Sequence, residues 1–236
     1  MHPLIMQIRA DLTANIDEHT KETTQHFFKE SIKVYGIKTA MVVKIAKKYW
    51  QQAKLLGKQE LFSLCEELYS SDYMEEAFVV AEWLPHYIDK LEASDIATFK
   101  RWIECYIDNW AKCDSFCNHT IGDLIQKNPE VAAEVKSWAK SQNRWLKRAS
   151  AVSFIVPAKR GMFLKDAFDI CNDLLLDGDD LVQKGYGWLL KEESRVHQKE
   201  VYNYVIKHRK VMPRTALRYA IELMPKELKA EAMKKE

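Results

Sequence analysis

The chain has 236 residues, of which 47% are hydrophobic and 30% charged, with a formal net charge of +2. That length allows a sizeable buried core, and that balance excludes a disordered chain. No apolar run approaches the ~20 residues that span a bilayer, which excludes a helical membrane protein.

Seven glycines and six prolines are few for this length and point to long helices with short connections. The periodicity is helical nearly throughout. Phe27, Phe28, Ile32 and Tyr35 form one stripe, ended by Gly36. Val42, Ile45, Ala46 and Tyr49 form the next, in a segment that opens at Thr39, an expected N-cap. Leu61, Leu64, Cys65 and Leu68 follow, with Ser70-Ser71-Asp72 as a break, and Phe78, Val79 and Ala81 lead to Pro85. Further helices are expected at 94–107, 109–127, 129–140, 143–155, 162–175, 179–194, 197–209, 213–223 and 226–235. Asn128-Pro129, Ser141-Gln142-Asn143 and Met212-Pro213 punctuate them. No Gly/Ser-rich linker divides the chain, so residues 1–236 are expected to form one all-α domain of about six helix pairs.

Trp110-Ala111-Lys112-Cys113-Asp114-Ser115 recurs 35 residues later as Trp145-Leu146-Lys147-Arg148-Ala149-Ser150, and Lys184 and Trp188 stand about one period further on. Such a spacing is what stacked helix pairs produce, and the expected fold is a curved α-α superhelix of antiparallel pairs around a groove. In this register Arg148 matches Cys113, and Asp114 matches Ala149.

The small net charge hides an asymmetry. Residues 1–135 hold 15 basic and 21 acidic side chains, and residues 136–236 hold 21 and 13. Eight cations and no acid lie between Lys136 and Lys165, and a second acid-free stretch carries Lys207, Arg209, Lys210, Arg214 and Arg218. Two such runs in one half point to a phosphate-binding face. Trp110 and Asp114, at i and i+4, share a helix face. Arg148 suits either a buried ion pair with Asp114 or a phosphate held by its planar fork. Gly185 and Gly187 inside a helix point to close packing or close approach of a ligand.

Cys113 and Cys117 stand at i and i+4, but His119 points elsewhere and no second ligand cluster follows, so no metal site is expected. No phosphate-cradling glycine loop or nucleophile elbow is present in the sequence. Five cysteines are an odd number, and Met1-His2-Pro3-Leu4 has neither the charged nor the apolar region of a secretory signal. Reduced thiols and a cytoplasmic, nucleoid-associated location are the expectation.

From the Met1-His2-Pro3 start to about Tyr219, the chain resembles the AlkD family of bacterial alkylpurine DNA glycosylases, built of HEAT-like helical repeats. The resemblance is carried by Gly36-Ile37-Lys38-Thr39, by Trp110 with Asp114 and Ser115, and by Asn143-Arg144-Trp145-Leu146-Lys147-Arg148-Ala149. Gln183-Lys184 with Gly187-Trp188, and Arg214 with Arg218, complete it. Ala40 and Lys191 depart from the family's proline and arginine. The resemblance implies hydrolytic excision of N-alkylated, cationic purines from duplex DNA, without a pocket that encloses a flipped base. It places Asp114, Trp110, Trp188 and Arg148 in the catalytic set, and Lys38, Thr39, Lys147, Lys184, Lys191, Arg214 and Arg218 on DNA. It implies a monomer that needs no cofactor. Two alternatives stand beside it: a DNA-binding relative that excises nothing, and a helical-repeat scaffold for another protein.

Overall fold

The structure, a computed structural model, describes residues 2–234; Met1 and the final residue of the expected 226–235 helix lie outside the described residues. Every regular element among the described residues is helical, as the sequence pattern predicts. The described residues pack as two compact units that divide between Phe116 and Cys117.

The first unit holds α1 (Pro3–Thr13), α2 (Glu18–Phe27), α3 (Thr39–Ala53), α4 (Lys58–Ser70), α5 (Met74–Trp83), α6 (Ile96–Tyr106) and α7 (Trp110–Phe116). Helices α1, α3, α5 and α7 pack side by side in one row, and α4 packs on α6 behind them. This alternation is how stacked helix pairs bury a continuous seam. The seam is aromatic: Trp102 meets Tyr69 at 5.6 Å, Phe99 meets Phe116 at 5.4 Å, and the buried Trp83 indole donates to the Ala46 carbonyl at 2.8 Å. The expected stripes at 42–49 and 61–68 are the buried faces of α3 and α4.

One expected helix is absent. The stripe from Phe27 to Tyr35 breaks at Phe28, whose backbone is extended, and residues 28–38 run as an irregular segment. Its backbone bonds go to a side chain instead. The buried Glu75 carboxylate accepts the N–H groups of Tyr35, Gly36 and Ile37 at 3.0, 2.8 and 3.2 Å. Next to it the buried Glu76 takes a forked bond from Arg9 and the Tyr35 hydroxyl at 2.7 Å. Gly36 turns the segment at φ +88°, and a Cβ there would lie 2.3 Å from that of Lys21. A short apolar cluster of Ile32, Val34 and Met74 seals its underside. Thr39 is the first helical residue of α3 and Lys38 the cap, one position from expectation and without a side-chain cap bond.

The second unit begins with a π-helical turn, Cys117–Ile121, and continues with α8 (Gly122–Lys127), α9 (Val131–Ser137), α10 (Arg144–Val152), α11 (Ile155–Ala158), α12 (Leu164–Leu174), α13 (Asp180–Glu193), α14 (Gln198–His208), α15 (Arg214–Ala220) and α16 (Lys226–Met233). Helix α13 lies between α10 and α15, while α9 packs on α12 and α14 on α16. The approach of α13 to α15 depends on Gly187, where a Cβ would meet the Ala216 carbonyl and the Tyr219 Cβ at 2.8 Å. Packing therefore accounts for Gly187. At Gly185 a Cβ would make only ordinary contact, 3.5 Å from Arg148 Cγ. The C-terminal end of α13 buries Glu193 completely, and neither carboxylate oxygen has a hydrogen-bond partner among the described residues.

Glu75→Ala leaves three backbone donors without their carboxylate, so stability should fall by roughly 3 kcal/mol in a denaturant titration. Glu193 predicts a pH dependence of stability. Burial raises its carboxyl from the usual 4.5 to about 8. Between those values the folded chain holds one proton more than the unfolded chain, so stability falls as pH rises, by up to about 1.4 kcal/mol per pH unit. The loss is complete above the folded value. Glu193→Gln should flatten this slope and melt above the parent chain at pH 8.

Candidate nucleic-acid interface

Helix caps set the register of the candidate residues. Asn109 caps α7: its Oδ1 accepts the Lys112 N–H at 3.0 Å and its carbonyl accepts that of Cys113 at 3.1 Å. Asn143 caps α10 through Trp145 and Leu146, and Asp179 caps α13 through Leu181 and Val182. Pro213 stands in the cap position of α15. Counted from these caps, Asp114, Arg148, Lys184 and Arg218 all occupy the fifth position of their helices. The tryptophan echo conceals this, because Trp110 directly follows its cap whereas Trp145 is one residue further on. By helix position, then, Asp114 and Arg148 are equivalent, and the offset read from the echo is a slip of one residue.

In the first unit, Trp110 and Asp114 are half-buried on one face of α7. Phe28 stacks on the Trp110 indole, with centroids 5.2 Å apart and planes 16° apart. Phe27 meets it edge-on at 6.0 Å and remains 70% exposed. The sequence stripe gives no sign of this trio, because it assigns both phenylalanines to a helix that ends between them. Ala111 rests on the cluster beneath the 28–38 segment. Lys38 and Thr39 are exposed at the start of α3, where the Glu75-bound segment ends.

Behind that face, Lys112 is buried to 2% exposure. Its ammonium donates to the Asp72 carbonyl at 3.1 Å and carboxylate at 2.8 Å, and pairs with Asp108 at 3.0 Å. Asn109 Nδ2 donates to the same Asp108 carboxylate at 2.8 Å. Burial opposes ionisation of Asp72, but the Lys112 ammonium overrides it and holds the carboxyl below its usual range. Asp108 is held above its usual range, burial outweighing the pull of Lys112. A buried ammonium without such partners would cost about 3–5 kcal/mol.

In the second unit, Arg148 is buried and its guanidinium donates to the Leu181 carbonyl of α13. Trp188 is half-buried and donates to Glu192 at 3.2 Å. Lys184 pairs with Asp180 at 2.6 Å, one turn away, and Lys191 with Glu222 at 2.6 Å. Arg214 is exposed and donates to the Met233 carbonyl at 3.2 Å; Arg218 is exposed one turn on. The adjacent helices α10, α13 and α15 thus carry Arg148, Lys184 and Arg218 at one position.

The first half of the acid-free run from Lys136 to Lys165 is neutralised in space. Lys136 pairs with Asp166 at 2.7 Å and Asp169 at 3.1 Å, Lys140 with Asp173 at 3.7 Å, Arg144 with Asp179 at 2.8 Å and Lys147 with Asp177 at 2.7 Å. The partners come from the next stretch of sequence, so a one-dimensional charge count cannot see them. Lys147 is half-buried in this ladder. Lys159, Arg160 and Lys165 at the end of the run are exposed, as is Arg218 further on. Cys113 and Cys117 are both buried while His119 is exposed, and among the described residues no three His, Cys, Asp or Glu side chains are grouped to hold a metal. No helix among them is long and apolar enough to cross a membrane.

Comparison with known proteins agrees with a repair protein. The model of the DNA alkylation repair enzyme family matches residues 8–224, and the chain belongs to that family. A solved structure described as a predicted DNA alkylation repair enzyme from Enterococcus faecalis has a similar fold, with a TM-score of 0.80 over 90% of this chain and 98% of that one, at 15% identity. The alkylpurine DNA glycosylase AlkC of Pseudomonas fluorescens, bound to DNA containing an abasic site analog, aligns over 93% of this chain and 61% of that one. Its TM-score is 0.49 and its identity 15%. No curated protein matches.

Proposed function

We propose that this member of the DNA alkylation repair family releases N-alkylated, cationic purines from duplex DNA by hydrolysing the glycosidic bond. The observation that carries the reading is the pairing, on one face of α7, of a half-buried carboxylate, Asp114, with a tryptophan held in place by Phe28. That pair has the chemistry the reaction needs. An alkylated purine is already cationic, so its bond to C1′ breaks with both electrons leaving on the base, and the base departs neutral. Positive charge then develops on the deoxyribose. A fixed carboxylate stabilises it and takes a proton from the water that adds to C1′. An indole face attracts the same charge by about 0.5–2 kcal/mol, the role proposed for Trp110 and Trp188.

Arg148 would hold a phosphate by its planar guanidinium, and Lys184, Arg214 and Arg218 would hold the backbone. Lys38, Thr39, Lys147 and Lys191 are proposed for the same duty. Lys147 and Lys191 would exchange an aspartate or glutamate for a phosphate on binding, which lowers their net contribution.

Asp114→Asn keeps the shape and loses the charge. Single-turnover base release should fall on the order of a hundredfold, about 3 kcal/mol in the barrier, while duplex affinity is retained. A fall in melting temperature with undiminished release per folded molecule would make Asp114 structural. The basic face is tested separately. Arg214→Gln with Arg218→Gln should lower the slope of log affinity against log salt by up to about 1.8 if each arginine neutralises one phosphate. An unchanged slope would assign both arginines to ordinary solvated surface.

A further inference from the structure

We infer that Lys112, clamped between Asp72 and Asp108, is the positioning residue that fixes the rotation of α7 and so aims Trp110 and Asp114 at their substrate. The inference rests on the base-excision reading and assigns a role to residues that do not touch DNA. Lys112 stands two residues from each of the pair, about 200° around the helix from Trp110. Its side chain therefore points to the back of α7 while they occupy the front. At the back it meets two separate pieces of the first unit: the turn between α4 and α5, through both the carbonyl and the carboxylate of Asp72, and the entry to α7 itself, through Asp108. The Asp72 backbone is left-handed, at φ 66°, and in this turn both of its acceptors meet the one ammonium. Asn109 ties the front turn to the same cluster, capping α7 with its oxygen and binding Asp108 with its nitrogen.

The lever is short, so small rotations matter. Turning α7 by about 10° carries a carboxylate roughly 6 Å from the axis through about 1 Å, and a misplacement of that size can cost about a hundredfold in rate. Hydrophobic packing of Phe116 and Cys113 buries α7 but tolerates rotation better than directional bonds do. Counted from the helix caps, the place of Lys112 is taken in α10 by Leu146 and in α13 by Val182, both apolar and buried. The three-point clamp belongs to the helix that bears the carboxylate.

The left-handed turn offers a variant that removes the clamp and keeps the fold. Asp72→Gly deletes the carboxylate, but glycine favours φ 66°, while Asp72→Asn tolerates that conformation and keeps a hydrogen-bond acceptor. Asp72→Gly is expected to melt below the parent chain, because the ammonium keeps only the backbone carbonyl and Asp108, yet to stay folded at the assay temperature and bind duplex within about twofold. It should slow single-turnover base release at least about tenfold and speed hydrogen exchange of the α7 amides by a similar factor. Asp72→Asn should recover most of both. Asp108→Ala serves as a second variant, with the same direction of change, should Asp72→Gly not fold. Base release by Asp72→Gly at the parent rate per folded molecule would overturn the inference, and so would equal slowing in Asp72→Gly and Asp72→Asn. Should the parent chain release no base, the excision reading fails and exchange alone decides. Unchanged α7 exchange in Asp72→Gly then overturns the clamp, and faster exchange upholds it as the anchor of that helix.

Discussion

A single buried ammonium decides where α7 sits. Lys112 has left water, and the cost of that is met only because the Asp72 carbonyl, the Asp72 carboxylate and Asp108 all reach it. Breaking one arm takes a counter-charge from a buried ammonium and costs stability. The rest of the first unit follows from this constraint. With the back of α7 fixed, Ala111 lands on the cluster beneath the 28–38 segment, and Trp110 meets Phe28 ring to ring. Glu75 completes the frame from α5 by gathering three backbone N–H groups, which turns an apolar stripe into an ordered loop rather than a helix.

The same economy recurs in the second unit through helix caps. Asn143 and Asp179 start α10 and α13 at defined residues, and Pro213 stands at the cap of α15. Arg148, Lys184 and Arg218 share the fifth position because their helices begin in step. Charge is then sorted by what lies opposite. Cations on the α9–α10 side meet the aspartates of the 166–179 stretch and are consumed in structure, while Arg218 stays exposed on the surface.

The helical class was legible because a 3.6-residue stripe survives any tertiary arrangement, and nearly every element from α3 onward lies where its stripe places it. The N-terminal stretch was not. Phe27, Phe28, Ile32 and Tyr35 keep helical spacing, yet a carboxylate 40 residues away claims the backbone bonds of Tyr35 to Ile37, and no local pattern records that claim. The repeat was legible through its tryptophans, and the helix starts at Asn109, Asn143 and Asp179 were legible too, but an echo aligned on tryptophans is one residue out of step with those caps. Lys112 appeared in the echo only as a matching letter. Its burial depends on Asp72, and a lysine at that position reads as solvated surface until the turn that holds it is known. The basic run misled for the opposite reason: its counter-charges follow it in sequence and return to it in space.

Glycosidic cleavage itself is measured by chromatography of the free base released when the purified protein is incubated with duplex DNA carrying N-methylated purines. The proposed excision predicts time-dependent release of the methylated purine, leaving abasic sites in equal number and the unmodified bases in place. Saturating binding to that duplex with no release of base would contradict it.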